Sequence, residues 1–315
     1  MNGSTQIIDS SRDGQRIDNY LFACLKGVPK SHVYRLLRTG KIRVNGKRVK
    51  QTYRLQEDDE VLIPELRMSS LAGKPNISER VKDQIESSIL HEDEAILAIN
   101  KPAGTAVHPG TRVAYGVIEI LRALRPAAPY LELVHRIDRE TSGCLLIAKN
   151  RKTLNELHEL LRTQNIKKEY LALLKGEWKF GDKIIDTALK AKREFSEGLH
   201  TGGCEEKFKT AITKFSPRKV STEFSLMKVQ IGTGRTHQIR IHAAQCGHPV
   251  VGDQKYGDYS FNRDCKKRGL KRMFLHASNL SFQLPSSGQK YNFTAQLDME
   301  LKGFLKGLGL CVSAR

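Results

Sequence analysis

Short apolar runs alternate with polar turns along most of the chain, and their spacing predicts a mixture of strands and helices. Continuous apolar runs of four to eight residues bounded by polar residues are typical of buried strands. Leucines recur at helical spacing over residues 151–161 and predict a helix that packs on the core. The predicted strands of this larger part of the chain cover residues 95–99, 131–134, 144–148, 167–176, 211–215 and 224–231.

The first 64 residues have a different pattern, in which two helices precede a small sheet. Residues 16–25 place apolar side chains on one helical face, and a second such segment ends at Gly40, a typical residue just past a helix end. Residues 41–49 alternate polar and apolar positions around Asn45 and Gly46, which is a strong hairpin signal. Residues 57–64 predict one more strand. We therefore expect a separate N-terminal domain.

The stretch between these two patterns is polar and contains Ser, Gly, Pro and Asn, which favours a linker. The sequence thus predicts an N-terminal domain over residues 1–66, a linker over 67–88 and a larger domain over 89–315.

The charge balance indicates a polyanionic partner. The chain has 53 Lys and Arg against 34 Asp and Glu, a formal net charge of +19. Residues 26–54 contain ten basic side chains and no acidic one, so the charge is concentrated in the small domain. Nucleic acid is favoured over a membrane, because no basic amphipathic segment carries bulky apolar anchors.

Several classes of protein are disfavoured by what the sequence lacks. No run of 18 apolar residues and no charged-then-apolar leader is present, so we expect a cytoplasmic protein without a membrane partner. The six cysteines are scattered, without a C-x-x-C pair, which favours free thiols over disulfides or zinc. His237 and His242 lack a third ligand, so no metal site is expected.

The candidate for chemistry is Asp138, in the polar stretch HRIDRETSG at residues 135–143, between two predicted buried strands. A loop held between buried strands is a rigid mount for a reactive group. Arg136 and Arg139 flank the carboxylate and are expected to keep it ionised, as a nucleophile or general base requires. On residue types alone, an ordinary surface salt bridge is the better explanation of Asp138.

Four motifs together change that balance. HRIDRETSG, NKPAGTAVH at residues 100–108, KEYLALLKG at 168–176 and GRTHQIRIH at 234–242 resemble the motifs of the RluA-type pseudouridine synthases. Ile137 replaces the Leu of the family pattern. The resemblance spans nearly the whole chain, and it implies an α+β catalytic domain with a curved mixed or antiparallel sheet and a central cleft.

The resemblance also implies roles for individual residues. Asp138 would be the catalytic carboxylate, Tyr170 would stack on the base and relay a proton, and Arg235 would ion-pair with Asp138. Arg235 would stand at the start of a helix capped by Thr236. Arg136 would fill the gap that an extruded nucleotide leaves in the RNA. The residues expected to support the pocket are Lys101, His135, Thr141, Gln238 and Arg240.

The N-terminal domain has a resemblance of its own. Two helices followed by GKIRVNGKRVK and DDEVLI resemble the S4-like RNA-binding domain over residues 14–64. The cations expected to contact RNA are Arg35, Arg38, Lys41, Arg43, Lys47 and Arg48.

Together the resemblances imply an enzyme that isomerises specific uridines to pseudouridine in large-subunit (23S) ribosomal RNA. Such an enzyme would extrude the uridine and would need no cofactor or metal. We expect a monomer whose partner is ribosomal RNA. Two alternatives remain: a non-catalytic ribosome-associated RNA-binding protein, and an Asp-dependent nucleoside hydrolase. The hydrolase leaves the basic domain unexplained and usually requires a carboxylate cluster.

Overall fold

A computed structural model describes residues 3–25, 28, 30–65, 77–109, 115–190 and 208–310 of the chain. The described residues divide into two compact units, the second of which begins at Ile77. Residues 67–76 of the predicted linker lie outside the described residues. The linker prediction is wrong for residues 79–86, which form a helix, because Ile77 and Ile85 bury their side chains in the core of the second unit.

The N-terminal unit packs two helices on a three-stranded sheet. The sheet order is β1-β3-β2, with antiparallel neighbours. One core joins both helices to the sheet and includes Leu21, Leu37 and Val61. The elements are β1 Gly3–Ile7, α1 Ile17–Cys24, α2 Lys30–Arg38, β2 Arg43–Val44 and β3 Glu60–Pro64.

The predicted turn of this unit is confirmed. Val44 and Lys47 exchange backbone hydrogen bonds of 2.9 and 2.8 Å. Asn45 and Gly46 between them have φ angles of 49° and 71°, the left-handed pair that a tight hairpin turn of this hand requires. Strand β1 was missed, because all five of its side chains are exposed and leave no alternating pattern to recognise.

In the described part of the second unit, ten strands form one mixed sheet. The path is β4-β5-β7-β12-β8-β11-β10-β9, with β13 beside β12 and β6 beside β7; β7 and β12 are parallel. The α+β class is therefore confirmed. The elements are α3 Glu79–Glu86, β4 Ile89–Glu92, β5 Ile96–Lys101, α4 Val117–Leu124, β6 Glu132–Leu133, β7 Ser142–Ala148, α5 Arg151–Arg162, β8 Lys167–Lys175, β9 Lys183–Lys190, β10 Phe208–Val220, β11 Phe224–Ile231, α6 Gln238–Gln245, α7 Tyr259–Lys267, β12 Leu275–Gln283, β13 Lys290–Thr294 and α8 Met299–Gly307.

Helices cover both faces of this sheet, and its strand β7 is buried at all seven residues. Alternate residues of β5 belong to two different cores: Ile96 packs with the leucines of α5, and Leu97 packs with α3 and α4. A third core lies under α7 and α8. The predicted helix over residues 151–161 is confirmed as α5, with Asn150 Oδ1 accepting a hydrogen bond from the Thr153 backbone at its start.

The topology brings three distant sequence motifs together. Strands β7, β12, β8 and β11 are neighbours in the middle of the sheet. The loop before β7 carries Asp138, β8 carries Tyr170, and the segment after β11 leads into α6 with Arg240. All three residues line one cleft.

Candidate active site

The loop before β7 holds Asp138 between two buried side chains. Ile137 is 6% exposed and Thr141 is 2% exposed, and the Thr141 backbone N–H donates to the Asp138 carbonyl at 3.1 Å. The Asp138 side chain itself is 21% exposed and faces the cleft. The loop backbone is therefore anchored while the carboxylate remains accessible.

Lys101 ties this loop to the NKPAG segment at residues 100–104. Its fully buried ammonium donates to the carbonyls of Pro102 and Thr105 at 2.8 Å and of Arg139 at 3.1 Å. Gly104 N–H donates to the same Arg139 carbonyl, and Arg139 Nε donates back to Gly104 O, each at 2.8 Å. Burial lowers the pKa of Lys101 to about 7. Lys101 thus supports the site from behind the loop.

A second polar network fixes the start of β7. The buried His276 donates from Nε2 to the Ala295 carbonyl at 2.9 Å, so its Nδ1 accepts from the Ser142 hydroxyl at 2.8 Å. Ser142 Oγ in turn accepts from Arg272 Nη2 at 2.8 Å. Burial lowers the pKa of His276 to about 4, which keeps the imidazole neutral. This network joins the C-terminal strands to the Asp138 loop.

Arg240 bridges two carboxylates at the centre of the site. Its Nη1 donates to Asp138 Oδ2 at 3.1 Å, while Nε and Nη2 donate to the two oxygens of Asp253 at 2.7 and 2.8 Å. Burial lowers the pKa of Arg240, but the bonds to Asp253 and Asp138 outweigh it and raise that pKa above its usual value. The same pairing lowers the pKa of Asp253 against the opposing effect of burial. Arg240 is therefore a permanent cation beside Asp138.

The expectation that Arg235 pairs with Asp138 is wrong. Arg235 lines the cleft, but its Nε donates to the Thr210 carbonyl at 3.2 Å. Arg235 precedes α6, whereas Arg240 lies inside the helix on the side that faces Asp138. The flanking cations do not contact the carboxylate either: Arg139 binds Gly104, and exposed Arg136 makes no hydrogen bond or ion pair within the described ranges.

The predicted cap of this helix is also wrong. Helix α6 begins at Gln238 with His237, not Thr236, at the N-cap, and the His237 backbone adopts a left-handed φ of 56°. Gln238 fixes the preceding loop: its Oε1 accepts from Thr233 Oγ1 at 2.8 Å and Arg235 N at 3.0 Å, and its Nε2 donates to β10. Gln238 is a buried anchor whose amide is fully engaged.

Tyr170 and His135 occupy different positions relative to the cleft. Tyr170 is 8% exposed and lines the cleft; burial, with the nearby Asp138 charge, raises the pKa of its hydroxyl above the usual value. His135 Nε2 accepts from the Leu146 backbone at 3.2 Å, which anchors the chain entering the loop. Burial lowers the pKa of His135 to about 4, so the ring is neutral.

Three further residues of the site, His237, Asp253 and Tyr256, were not among the predicted site residues. His237 Nε2 lies 3.8 Å from Asp138 Oδ2, and its Nδ1 bonds the Tyr256 hydroxyl at 3.0 Å. Asp253 and Tyr256 belong to the segment GDQKYGD at residues 252–258. The signal available in the sequence was a polar segment in which Asp253 follows a glycine and Tyr256 precedes one.

The predicted RNA-contacting cations of the N-terminal unit form a basic surface around the end of α2. All six are exposed, and the Arg48 stem packs beside Gly40. Arg43 Nε donates to the Gly40 carbonyl at 3.1 Å, so the hairpin cations are held near those of α2. This basic surface consists of Arg35, Arg38, Lys41, Arg43, Lys47 and Arg48.

The described residues give no sign of a metal centre or a membrane span. Within the described ranges, no three His, Cys, Asp or Glu side chains cluster closely enough to bind a metal ion. No helix in the described part of the chain is both long and apolar enough to cross a bilayer.

Comparison with known proteins gives matches over both units. The sequence profile of the RNA pseudouridylate synthase family matches residues 95–245, and that of the S4 domain matches residues 15–61. Ribosomal large subunit pseudouridine synthase C of Haemophilus influenzae is 46% identical over 312 residues, 98% of this chain and 96% of the relative. The Escherichia coli protein of the same name is 44% identical over 306 residues, with 96% and 95% covered.

Two human structures resemble the chain. RNA Pseudouridylate Synthase Domain Containing 4 superposes with a TM-score of 0.60 at 24% identity, over 73% of this chain and 96% of that one, and supports the fold. RNA Pseudouridylate Synthase Domain Containing 1 has a TM-score of 0.53 at 26% identity, with coverage of 69% and 86%.

Proposed function

Because this chain belongs to the RNA pseudouridylate synthase family, we propose that it isomerises specific uridines of large-subunit (23S) ribosomal RNA to pseudouridine, with Asp138 as the catalytic residue. The single observation that carries the assignment of the site is the position of Asp138. Its carboxylate faces an open cleft, is held by the permanent cation Arg240, and shares that cleft with Tyr170.

The reaction rearranges a nucleotide without adding or removing atoms. The bond between N1 and C1′ breaks, the base turns, and C5 bonds to C1′; C5 then loses a proton and N1 gains one. An ionised Asp138 acts either by attack at C1′ or by proton removal. No oxidant, reductant or donated group enters this balance, so the proposed chemistry requires no cofactor.

The other cleft residues take roles that suit their surroundings. Tyr170 packs against the extruded base. Because burial raises its pKa and keeps the hydroxyl protonated, Tyr170 relays a proton only by releasing its own proton as it accepts the one from C5. Arg136 is exposed and lines the cleft, and its side chain makes no hydrogen bond or ion pair with another described residue, which suits it to replace the extruded nucleotide in the RNA. Arg240 takes the ion-pairing role, and Arg235 contacts the RNA backbone. Lys101, His135, Thr141 and Gln238 hold the loops.

The N-terminal unit supplies RNA affinity. The six cations of its basic surface are exposed, and residues 26–54, to which they belong, contain no acidic residue. Cations of this kind bind phosphates with a strong dependence on salt. The S4 domain match over residues 15–61 supports this division of labour. We propose that the chain acts as a monomer, because one copy contains every group around Asp138, and that it acts in the cytoplasm, where the proposed ribosomal RNA substrate is located.

The proposal is tested by mapping pseudouridines in 23S ribosomal RNA from cells with and without this gene, and from cells complemented with wild type or Asp138→Asn. Specific positions should lose pseudouridine in the deletion strain and regain it only with the wild-type gene. A map unchanged by deletion would contradict the substrate. Full restoration by Asp138→Asn would contradict the role of Asp138.

A further inference from the structure

The two oxygens of the Asp138 carboxylate have different surroundings. Arg240 Nη1 lies 3.1 Å from Oδ2, and His237 Nε2 lies 3.8 Å from the same atom. Within the described ranges, Oδ1 accepts no hydrogen bond. The site therefore presents one engaged and one free oxygen.

Both groups that face Oδ2 are held by one short turn, residues 253–256. Asp253 binds Arg240 with two hydrogen bonds, and the Tyr256 hydroxyl bonds His237 Nδ1 at 3.0 Å. The Tyr256 ring also lies 5.2 Å from the Arg240 guanidinium carbon, within cation–π range. Among the described residues, no hydrogen bond or ion pair joins this turn to Asp138, so it acts through Arg240 and His237.

Hydrogen bonds and a close approach of two backbone segments fix the conformation of this turn. Asp253 Oδ1 accepts from the backbone N–H groups of Lys255 and Tyr256 at 2.9 and 3.1 Å, and its carbonyl accepts from Asn262 of α7 at 2.9 Å. A Cβ on Gly257 would lie 2.1 Å from the Asp253 carbonyl oxygen. The Asp253 side chain is 0% exposed, so solvent does not compete for Arg240.

We propose that residues 253–256 orient the catalytic carboxylate by holding Arg240 and His237 against Oδ2, which leaves Oδ1 as the oxygen presented to the uridine. Asp253 and Tyr256 are then positioning residues for the reaction. This inference rests on the proposed function, because it presupposes that Asp138 is the catalytic group.

Single-turnover rates at saturating enzyme, beside RNA affinities, test the proposal. Asp253→Asn keeps the shape but removes one acceptor of the two-pronged contact, and the rate should fall roughly tenfold to hundredfold, as for loss of a charge-assisted hydrogen bond. Tyr256→Phe keeps the ring and should lower the rate about threefold. RNA affinity should change less than about twofold for both.

The matched control is Asp258→Asn. Asp258 caps α7 and does not bind Arg240, so this variant should retain at least about half the rate.

A double-mutant cycle separates positioning from general structural damage. In an Arg240→Lys background, Asp253→Asn should cost less than about threefold, because the contact it supports is already lost. A second cycle pairs Tyr256→Phe with His237→Ala, for use if Asp253→Asn does not fold. The proposal would be overturned if Asp253→Asn lowered the rate by the same factor in both backgrounds, or if its rate equalled that of the control. A loss of RNA affinity instead of rate would also overturn it.

Wild type and Asp138→Asn are measured in parallel. If wild type forms no pseudouridine, or Asp138→Asn remains active, the proposed function fails. If both behave as expected while the cycles are additive, only the orienting role of residues 253–256 fails.

Discussion

Arg240 and Asp138 are 102 positions apart in the chain, yet Arg240 Nη1 lies 3.1 Å from Asp138 Oδ2. The contact forms because α6 follows β11 and the Asp138 loop precedes β7, two strands near the middle of one sheet. Arg235, only five residues earlier, bonds instead to β10.

The first prediction compares these two arginines by the same substitution. Arg240→Lys keeps the positive charge but loses the planar fork that bridges two carboxylates, so the single-turnover rate should fall at least about tenfold. Arg235→Lys, in the same cleft, should stay within about threefold of wild type. The two rates are measured on ribosomal RNA at saturating enzyme. A slower rate for Arg235→Lys than for Arg240→Lys would indicate that Arg235, and not Arg240, is the ion-pair partner of Asp138.

The second prediction concerns Lys101. Lys101→Met fills a similar volume but removes the donor to three loop carbonyls. The Arg139 carbonyl keeps the Gly104 N–H, whereas the carbonyls of Pro102 and Thr105 keep no donor among the described residues. We expect a loss of unfolding free energy of about 2–4 kcal/mol and a fall in turnover at temperatures where the variant is folded. Urea unfolding measures the stability change. The control is Lys152→Met, at an exposed lysine, which should unfold like wild type. An equally small change in unfolding free energy for Lys101→Met would show that the Lys101 hydrogen bonds do not stabilise the loop.

The third prediction is a pH dependence of stability from His276. Burial lowers the pKa of this imidazole to about 4 from the usual 6.5, so between those pH values the unfolded chain binds a proton that the folded protein does not. The stabilisation is present above pH 6.5 and is lost as pH falls towards 4, by at most about 3 kcal/mol.

Urea unfolding between pH 7.5 and 4.5 measures this dependence. His276→Gln should be less stable at neutral pH and lose less stability on acidification. His108→Gln alters an exposed histidine and should keep the wild-type slope. Identical slopes for His276→Gln and wild type would show that His276 does not contribute to the acid sensitivity.

The fourth prediction assigns RNA affinity to the basic surface. Replacing Arg35, Arg38 and Lys41 by Ala should weaken binding and reduce its salt dependence, because each phosphate contact contributes a log-log slope of roughly −0.7 on single strands. Turnover on saturating RNA should change little. The control replaces Lys152, Lys290 and Lys302, three exposed cations of the second unit, and removes the same charge. If both triple variants lose the same affinity, net charge rather than this surface determines binding.

Sequence patterns predicted the elements with a strong local signal. The helix over residues 151–161 and the Asn45–Gly46 turn were identified because leucine spacing and turn chemistry are local properties. Helix α3 was assigned to the linker, because its exposed polar residues conceal the single fully buried side chain, Ile85. Strand β1 has no buried side chain at all.

The candidate site was predictable as a set of motifs but not as a set of contacts. Asp138, Tyr170 and the arginine motif were located by resemblance, and they line one cleft. Which arginine pairs with Asp138 depends on where α6 begins and on which of its faces points to the cleft. The helix begins after His237, later than the sequence predicted, so Arg240 rather than Arg235 faces Asp138. The pairing of Arg240 with Asp253 is a tertiary contact that no local pattern specifies.

The most direct test of the account is the rate of tritium release from C5-labelled uridine in ribosomal RNA by purified wild type, Asp138→Asn and Glu140→Gln. Glu140→Gln removes the same charge from an exposed carboxylate in the same loop and should match wild type within about threefold. Asp138→Asn should release no tritium above background while binding RNA as tightly as wild type. Release by Asp138→Asn within tenfold of wild type, only about 1.4 kcal/mol of barrier, would contradict the role of Asp138 as the catalytic residue.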